Sequence, residues 1–161
     1  MLLGERSTDA STAFADAIAE RVAADQGLTT SLADLEEPPW VASIRHQVAE
    51  LQQLKSGWDG FDAVAIRRDV LEYACSLLET VMMDDTAPPH ITPMSSEGVL
   101  IEWHLGRINL EIEVETPREA WVFYENHDEG SEESWPVKND FRSLASPIEE
   151  VTRRSSTRTA S

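Results

Sequence analysis

The chain predicts an α+β domain: two core helices packed on a roughly four-stranded antiparallel meander sheet, with an extra N-terminal helix and a disordered C-terminal tail. Three observations carry this. Val99, Ile101 and Trp103 alternate with polar residues, and after a short break Ile108, Leu110, Ile112 and Val114 do the same, which is the period of a half-buried β-hairpin. Two upstream stretches, Trp40 to Ser56 and Ile66 to Met83, instead repeat their apolar residues at helical spacing. A length of 161 residues supports one core and not two. The expected division is an N-terminal helical arm over 1–27, a linker over 28–39, the α+β domain over 40–144 and a tail over 145–161.

In the arm, Asp9 or Ser11 is placed to cap a helix that Gly27 ends, with Phe14, Ile18 and Val22 at i, i+4 and i+8. That stripe is narrow. It suits a helix at the domain's edge, or one that docks on a partner or on a second copy as a homodimer contact. Thr, Ser, Asp, Glu and a proline pair make 28–39 a linker, and Pro38-Pro39 introduces the first core helix, whose Val41, Ile44, Val48 and Leu51 share one face.

Gly57-Trp58-Asp59-Gly60 is a turn cluster around a large aromatic. Trp58 is expected to plug the core's end while Asp59 accepts backbone hydrogen bonds; the other use of the pair is to line a ligand pocket. The second core helix offers a broad stripe of Ile66, Val70, Tyr73, Ala74, Leu77, Leu78 and Val81. A short strand over His90–Met94 follows, with Pro93 confining it to an edge or a strand end. The hairpin turns at Leu105-Gly106, which sets Trp103 opposite Ile108, Ile101 opposite Leu110 and Val99 opposite Ile112. Its other face carries Glu102, Asn109, Glu111 and Glu113. A last strand spans Ala120 to Glu125, with Trp121 and Phe123 on the core face if the connecting loop is even in length. Beyond Asn126, Trp135, Val137, Phe141 and Leu144 are too sparse for a regular element, and the Ser, Thr, Arg and Ala residues that close the chain bury too little to repay their ordering entropy.

Thirty acidic residues against 13 Lys plus Arg give a formal charge of -17, a field that repels a nucleic-acid backbone and steers toward a basic protein partner. The acidity is not one tail: residues 1–39, 90–127 and 128–150 carry 8, 7 and 7 acids and two bases each. The single cysteine, Cys75, lies in an apolar helical pattern, so a disulfide within the chain and a thiolate-paired metal site are both excluded. Met1–Arg6 has neither the basic start nor the apolar run of a secretion signal, and no segment reaches membrane-spanning length, so the expected location is the cytoplasm.

No phosphate-cradling glycine pattern occurs, and His46, His90, His104 and His127 never fall at HxH or HxxxH spacing, so a zinc site would have to be assembled from separate elements; no cofactor and no metal are expected. The best chemical constellation is Glu102, His104 and Glu111 on the hairpin's outer face, where an imidazole beside carboxylates can act as base or ligand. An open sheet excludes no water, which weighs against catalysis.

Leu54-Lys55-Ser56-Gly57-Trp58-Asp59-Gly60, Pro89-His90-Ile91-Thr92-Pro93, Gly98-Val99-Leu100-Ile101-Glu102-Trp103 and Leu110-Glu111-Ile112-Glu113 follow one another in order. In this the chain resembles a family of small, uncharacterised bacterial proteins with a WDG turn, a P-x-I-x-P strand, an LEW strand and an L-x-I-E-I strand. The resemblance covers about Trp40 to Tyr124 and implies domain boundaries, with no activity attached. Ser96-Glu97-Gly98 stands where the family has a glycine-rich turn, and Ile101 where it has Leu.

The expected function is therefore that of a non-enzymatic, acidic protein-binding module, of antitoxin, immunity or inhibitor type or an accessory subunit of a bacterial complex. Its contact residues would be Phe14, Ile18, Val22, Glu111, Glu113, Trp135 and Phe141. The alternative is a small enzyme or ligand binder using Trp58, Asp59, Glu102 and His104.

Overall fold

The computed structural model describes residues 37–159, all of which but Glu37 belong to the compact unit Pro38–Ser161. The expected arm with Phe14, Ile18 and Val22 lies outside the described residues. Helix α1, Pro39–Leu51, starts on the proline pair, where a missing N–H costs nothing, and buries Trp40, Val41, Ile44, Val48 and Leu51. Helix α2, Arg68–Val81, buries Val70, Leu71, Ala74, Leu77 and Leu78. Five strands follow: β1 His90–Pro93, β2 Val99–Leu105, β3 Ile108–Thr116, β4 Glu119–Asn126 and β5 Ser131–Val137. They form one antiparallel meander in chain order. A turn of 3₁₀ helix, Arg142–Leu144, leads into helix α3, Ala145–Thr159.

The α+β class and the antiparallel sheet are as the sequence predicts, but the described residues hold three helices and five strands, not two and four. The first added element, β5, lies in a stretch whose apolar residues are too sparse to predict a regular element. It needs few, because it is an edge strand held by backbone pairing with β4 from Ser131↔Asn126 to Val137↔Ala120, and of its side chains only Val137 is buried.

The second, α3, occupies the stretch expected to be a disordered tail. Leu144, Ile148 and Val151 are all buried and supply an i, i+4, i+7 stripe. The polar residues beyond them also find partners. Thr152 Oγ1 lies 2.7 Å from Thr86 Oγ1, Ser155 Oγ accepts from the Ala87 amide at 3.2 Å, and Arg154 donates to Asp128 and Glu150 at 2.6 Å each. Composition alone could not show that these short polar side chains face fixed acceptors and donors.

The hairpin turn also differs. Leu105 pairs with Ile108, so the two-residue loop is Gly106-Arg107, with Gly106 at φ +64° in the first loop position. Trp103 faces Leu110, Ile101 faces Ile112 and Val99 faces Val114. The register thus slips by two residues, an even number, and the predicted inward set (Ile101, Trp103, Ile108, Leu110, Ile112) is buried regardless.

An odd slip does change a face. Thr116 pairs with Glu119, and an unbroken ladder would continue to Val114 opposite Trp121, with Trp121 and Phe123 inward. Instead Val114 pairs with Ala120, because β3 holds one extra residue, Glu115, as a bulge. Ala120 and Val122 therefore enter the core, and Trp121 and Phe123 stand outside, 41% and 39% exposed. Gly98 makes room for this: a Cβ there would lie 2.6 Å from the Val114 carbonyl oxygen and 3.1 Å from the Glu115 Cα.

Gly98→Ala should consequently destabilise the protein by about 1 to 3 kcal/mol, the usual cost of overpacking. Thermal unfolding beside the exposed-site control Ser95→Ala checks this, and an unchanged melting temperature for Gly98→Ala would show that the bulge does not depend on the glycine.

Candidate functional site

The helices cover one face of the sheet, and the opposite face is where Glu102, His104, Glu111 and Glu113 meet. Its outward rows are set by register. Glu102 lies opposite Glu111, which lies opposite Phe123; Leu100 lies opposite Glu113, which lies opposite Trp121; His104, Asn109, Glu125 and Glu132 form a third row. The Trp121 and Phe123 rings are tilted to each other by 52° with centroids 6.4 Å apart. Beside Phe123 a shallow groove of about 280 Å³ is walled by Glu111, Glu125, Glu132 and Ser134. Burial first, then Glu115 and Glu111, pushes the Glu113 carboxyl above the usual carboxylate range. Sequence reasoning found the acids of this face and missed its aromatics. Their only signal was the unpaired count of residues between β3 and β4.

At the groove's edge, Glu102, His104 and Glu111 each offer one ligand atom, all within 4.8 Å of one another. His104 Nδ1 is 3.0 Å from Asn109 Oδ1, and its Nε2 is 3.3 Å from Glu102 Oε1. Asn109 Nδ2 donates to Glu125 Oε2 at 2.8 Å, which orients the amide so that its oxygen, an acceptor only, faces the ring. Neutral His104 therefore carries its proton on Nδ1. Thr92 Oγ1 donates to the second Glu102 oxygen at 3.4 Å.

The Trp58-Asp59 loop lies elsewhere. Val64 and Arg67 of its following segment donate to Ser95 and Glu97 in the β1–β2 turn, at the Val99 end of β2, whereas His104 is five residues further along that strand, about 17 Å away. Asp59 Oδ1 accepts from the Phe61 and Ala63 amides at 2.9 and 3.2 Å, as expected of a loop-closing aspartate. Trp58 is half-buried and donates to the Val64 carbonyl. The alternative set of Trp58, Asp59, Glu102 and His104 is thus split between the two ends of the sheet.

Trp135 and Phe141 are separated from Glu111 and Glu113 by the thickness of the sheet. Trp135 is half-buried on the helix side and donates from Nε1 to Ser143 Oγ at 3.0 Å, lining an open groove of about 610 Å³ with Tyr124, Glu133, Pro147 and Arg153. Phe141 packs edge-on against Tyr73. The described members of the predicted contact set therefore fall on both faces of the sheet. No family model, curated protein or solved structure matches the chain.

The hydrogen bond to Asn109, followed by that to Glu102, raises the His104 pKa above its ordinary value. A raised folded-state value means that the imidazole's contribution to stability is fully present below the unfolded-state pKa of about 6.5 and is lost as the pH climbs through the folded-state one. In metal-free protein the His104 ring should titrate by NMR above that ordinary value and return toward it in Asn109→Ala. A wild-type midpoint at or below about 6.5 would contradict the hydrogen bonds assigned to the ring.

Proposed function

We propose that the protein is a non-enzymatic acidic binding module that engages a basic protein partner through the outer face of its sheet, in the cytoplasm, as an antitoxin, immunity protein, inhibitor or accessory subunit. The observation that carries it is the exposed Trp121–Phe123 pair beside a groove walled by carboxylates. Soluble domains seldom leave two neighbouring large rings at about two-fifths exposure unless something covers them.

A Lys or Arg side chain matches such a place in both its parts, with an apolar stem against Phe123 and a cationic head among Glu111, Glu125 and Glu132. Aromatic anchors inside a charged rim are also the usual composition of an interface centre. The overall charge of -17 adds long-range steering toward a cationic surface and away from nucleic acid. The N-terminal arm, with Phe14, Ile18 and Val22, would supply a second contact, to the same partner or to another copy. The ligand-binding alternative has less support, since Asp59 already serves its own loop.

Affinity capture from the host, comparing wild type with Trp121→Ala and Phe123→Ala, tests the proposal. Each substitution should weaken binding of the captured basic protein by about 2 kcal/mol or more, roughly 30-fold, without lowering the melting temperature. Association, measured on the purified pair, should slow between low salt and physiological salt, where screening shortens to ~8 Å. Full binding by the double variant, or salt-independent association, would remove the reason for choosing this face.

A further inference from the structure

We propose that Glu102, His104 and Glu111 form a binding site for a divalent transition-metal ion of the zinc type on the outer face of the sheet. The site shares Glu111 with the groove proposed for the protein partner but does not rest on that reading. Its three ligand atoms come from two adjacent strands, with Glu102 directly opposite Glu111 and His104 two residues along the same face. They are fixed by the ladder and not by a loop, as an accurate site requires.

Ligand bonds of about 2.0 to 2.2 Å put tetrahedral donors roughly 3.5 Å apart. The ligand atoms lie within 4.8 Å of one another, at most about 1.3 Å beyond that spacing. One imidazole nitrogen with two carboxylates suits zinc, cobalt or nickel better than calcium or magnesium, which prefer all-oxygen sites. Three protein ligands leave a fourth position open.

The groups around the cluster prepare it. Glu125 orients Asn109, and Asn109 holds the Nδ1 proton of His104, so the lone pair of neutral Nε2 points at Glu102 Oε1 from 3.3 Å. That contact is completed by a cation, either the proton of the charged imidazole or a metal ion in its place, and an outer residue that fixes the imidazole tautomer is the usual companion of a metal-bound histidine. Thr92 meanwhile steadies the other oxygen of Glu102. Opposed like charges such as Glu102 and Glu111 destabilise a sheet, and no Lys or Arg occupies an outward position on the five strands to offset them. A divalent ion would.

Zinc titrated calorimetrically into chelator-treated full-length protein tests the site, with cobalt absorption as a second readout of coordination. Residues 1–36 contain no His or Cys, so the imidazoles to be separated are His46, His90, His104 and His127. Saturable binding of one ion is expected, unchanged in His46→Ala, His90→Ala and His127→Ala and abolished in His104→Ala, with loss also in Glu111→Gln. Asn109→Ala should weaken it by about 10- to 100-fold while leaving the ligands intact. His104 is exposed, so circular dichroism should show its variant folded. Absence of saturable binding, or binding that survives His104→Ala in folded protein, would overturn the site.

Discussion

The extra residue that β3 carries at Glu115 is the constraint on which the outer surface depends. A strand repeats every two residues, so one inserted residue exchanges the faces of everything that pairs beyond it. Here it sends Ala120 and Val122 inward and Trp121 and Phe123 outward. The bulge exists only because the backbone opposite gives way. Gly98 is buried and carries no Cβ where one would press on the Val114 carbonyl, and Ser96 donates to the Glu115 side chain at 3.0 Å. Residues in the β1–β2 turn therefore decide which side chains β4 shows to solvent.

A second constraint holds the helical layer in place. The segment between α2 and β1 has no regular structure, yet other elements grip it at several points. Trp40 Nε1 donates to the Met83 carbonyl at 2.9 Å and Trp103 Nε1 to the Ala87 carbonyl at 2.8 Å, so both indoles satisfy their only donor while burying their rings. Gln47 spans the junction, donating to Pro89 and accepting from Ile91. Thr152 and Ser155 then fasten α3 to the same segment. Between these two residues in the chain, Arg154 shares Asp128 with Arg107 of the β2–β3 turn, and this holds the Asp128 carboxyl below the usual range. The ion pair is exposed and weak on its own. Its geometry matters more, since it joins two hairpin turns to one helix.

Where a single period settled the outcome, the sequence was legible. Val99, Ile101 and Trp103 share a face with Ile108, Leu110 and Ile112 in the predicted register and in the observed one, because a two-residue slip preserves that face. The helices were legible for the same reason, their stripes being set by 3.6-residue spacing. Three things were not. The bulge is a tertiary accommodation between Gly98 and Glu115, and no local pattern records it. Strand β5 is specified by its neighbour's free edge more than by its own side chains, and α3 by hydrogen bonds to a segment some 66 residues away in the chain. Of the candidate site, the carboxylates and His104 were visible as outward positions of one hairpin, whereas Asn109 as the group that fixes the imidazole tautomer needed coordinates.

The outer face concentrates negative charge on a surface with little of its own to balance it, and Glu111 belongs both to the groove beside Phe123 and to the cluster with His104. The two proposed occupants, a cationic side chain and a metal ion, thus draw on one field. A divalent ion at the cluster would lower the charge that attracts a basic partner, and a bound partner would lower the charge that attracts the ion. Linkage makes the two effects equal in free energy, so each occupant would weaken the other by the same factor unless the partner itself fills the metal's open position. That exception reverses the sign: a donor atom from the partner would turn competition into mutual support. The sign of the coupling is therefore a structural statement about whether the basic segment reaches from Phe123 across Glu111 to His104, a distance of adjacent strands and one step along them.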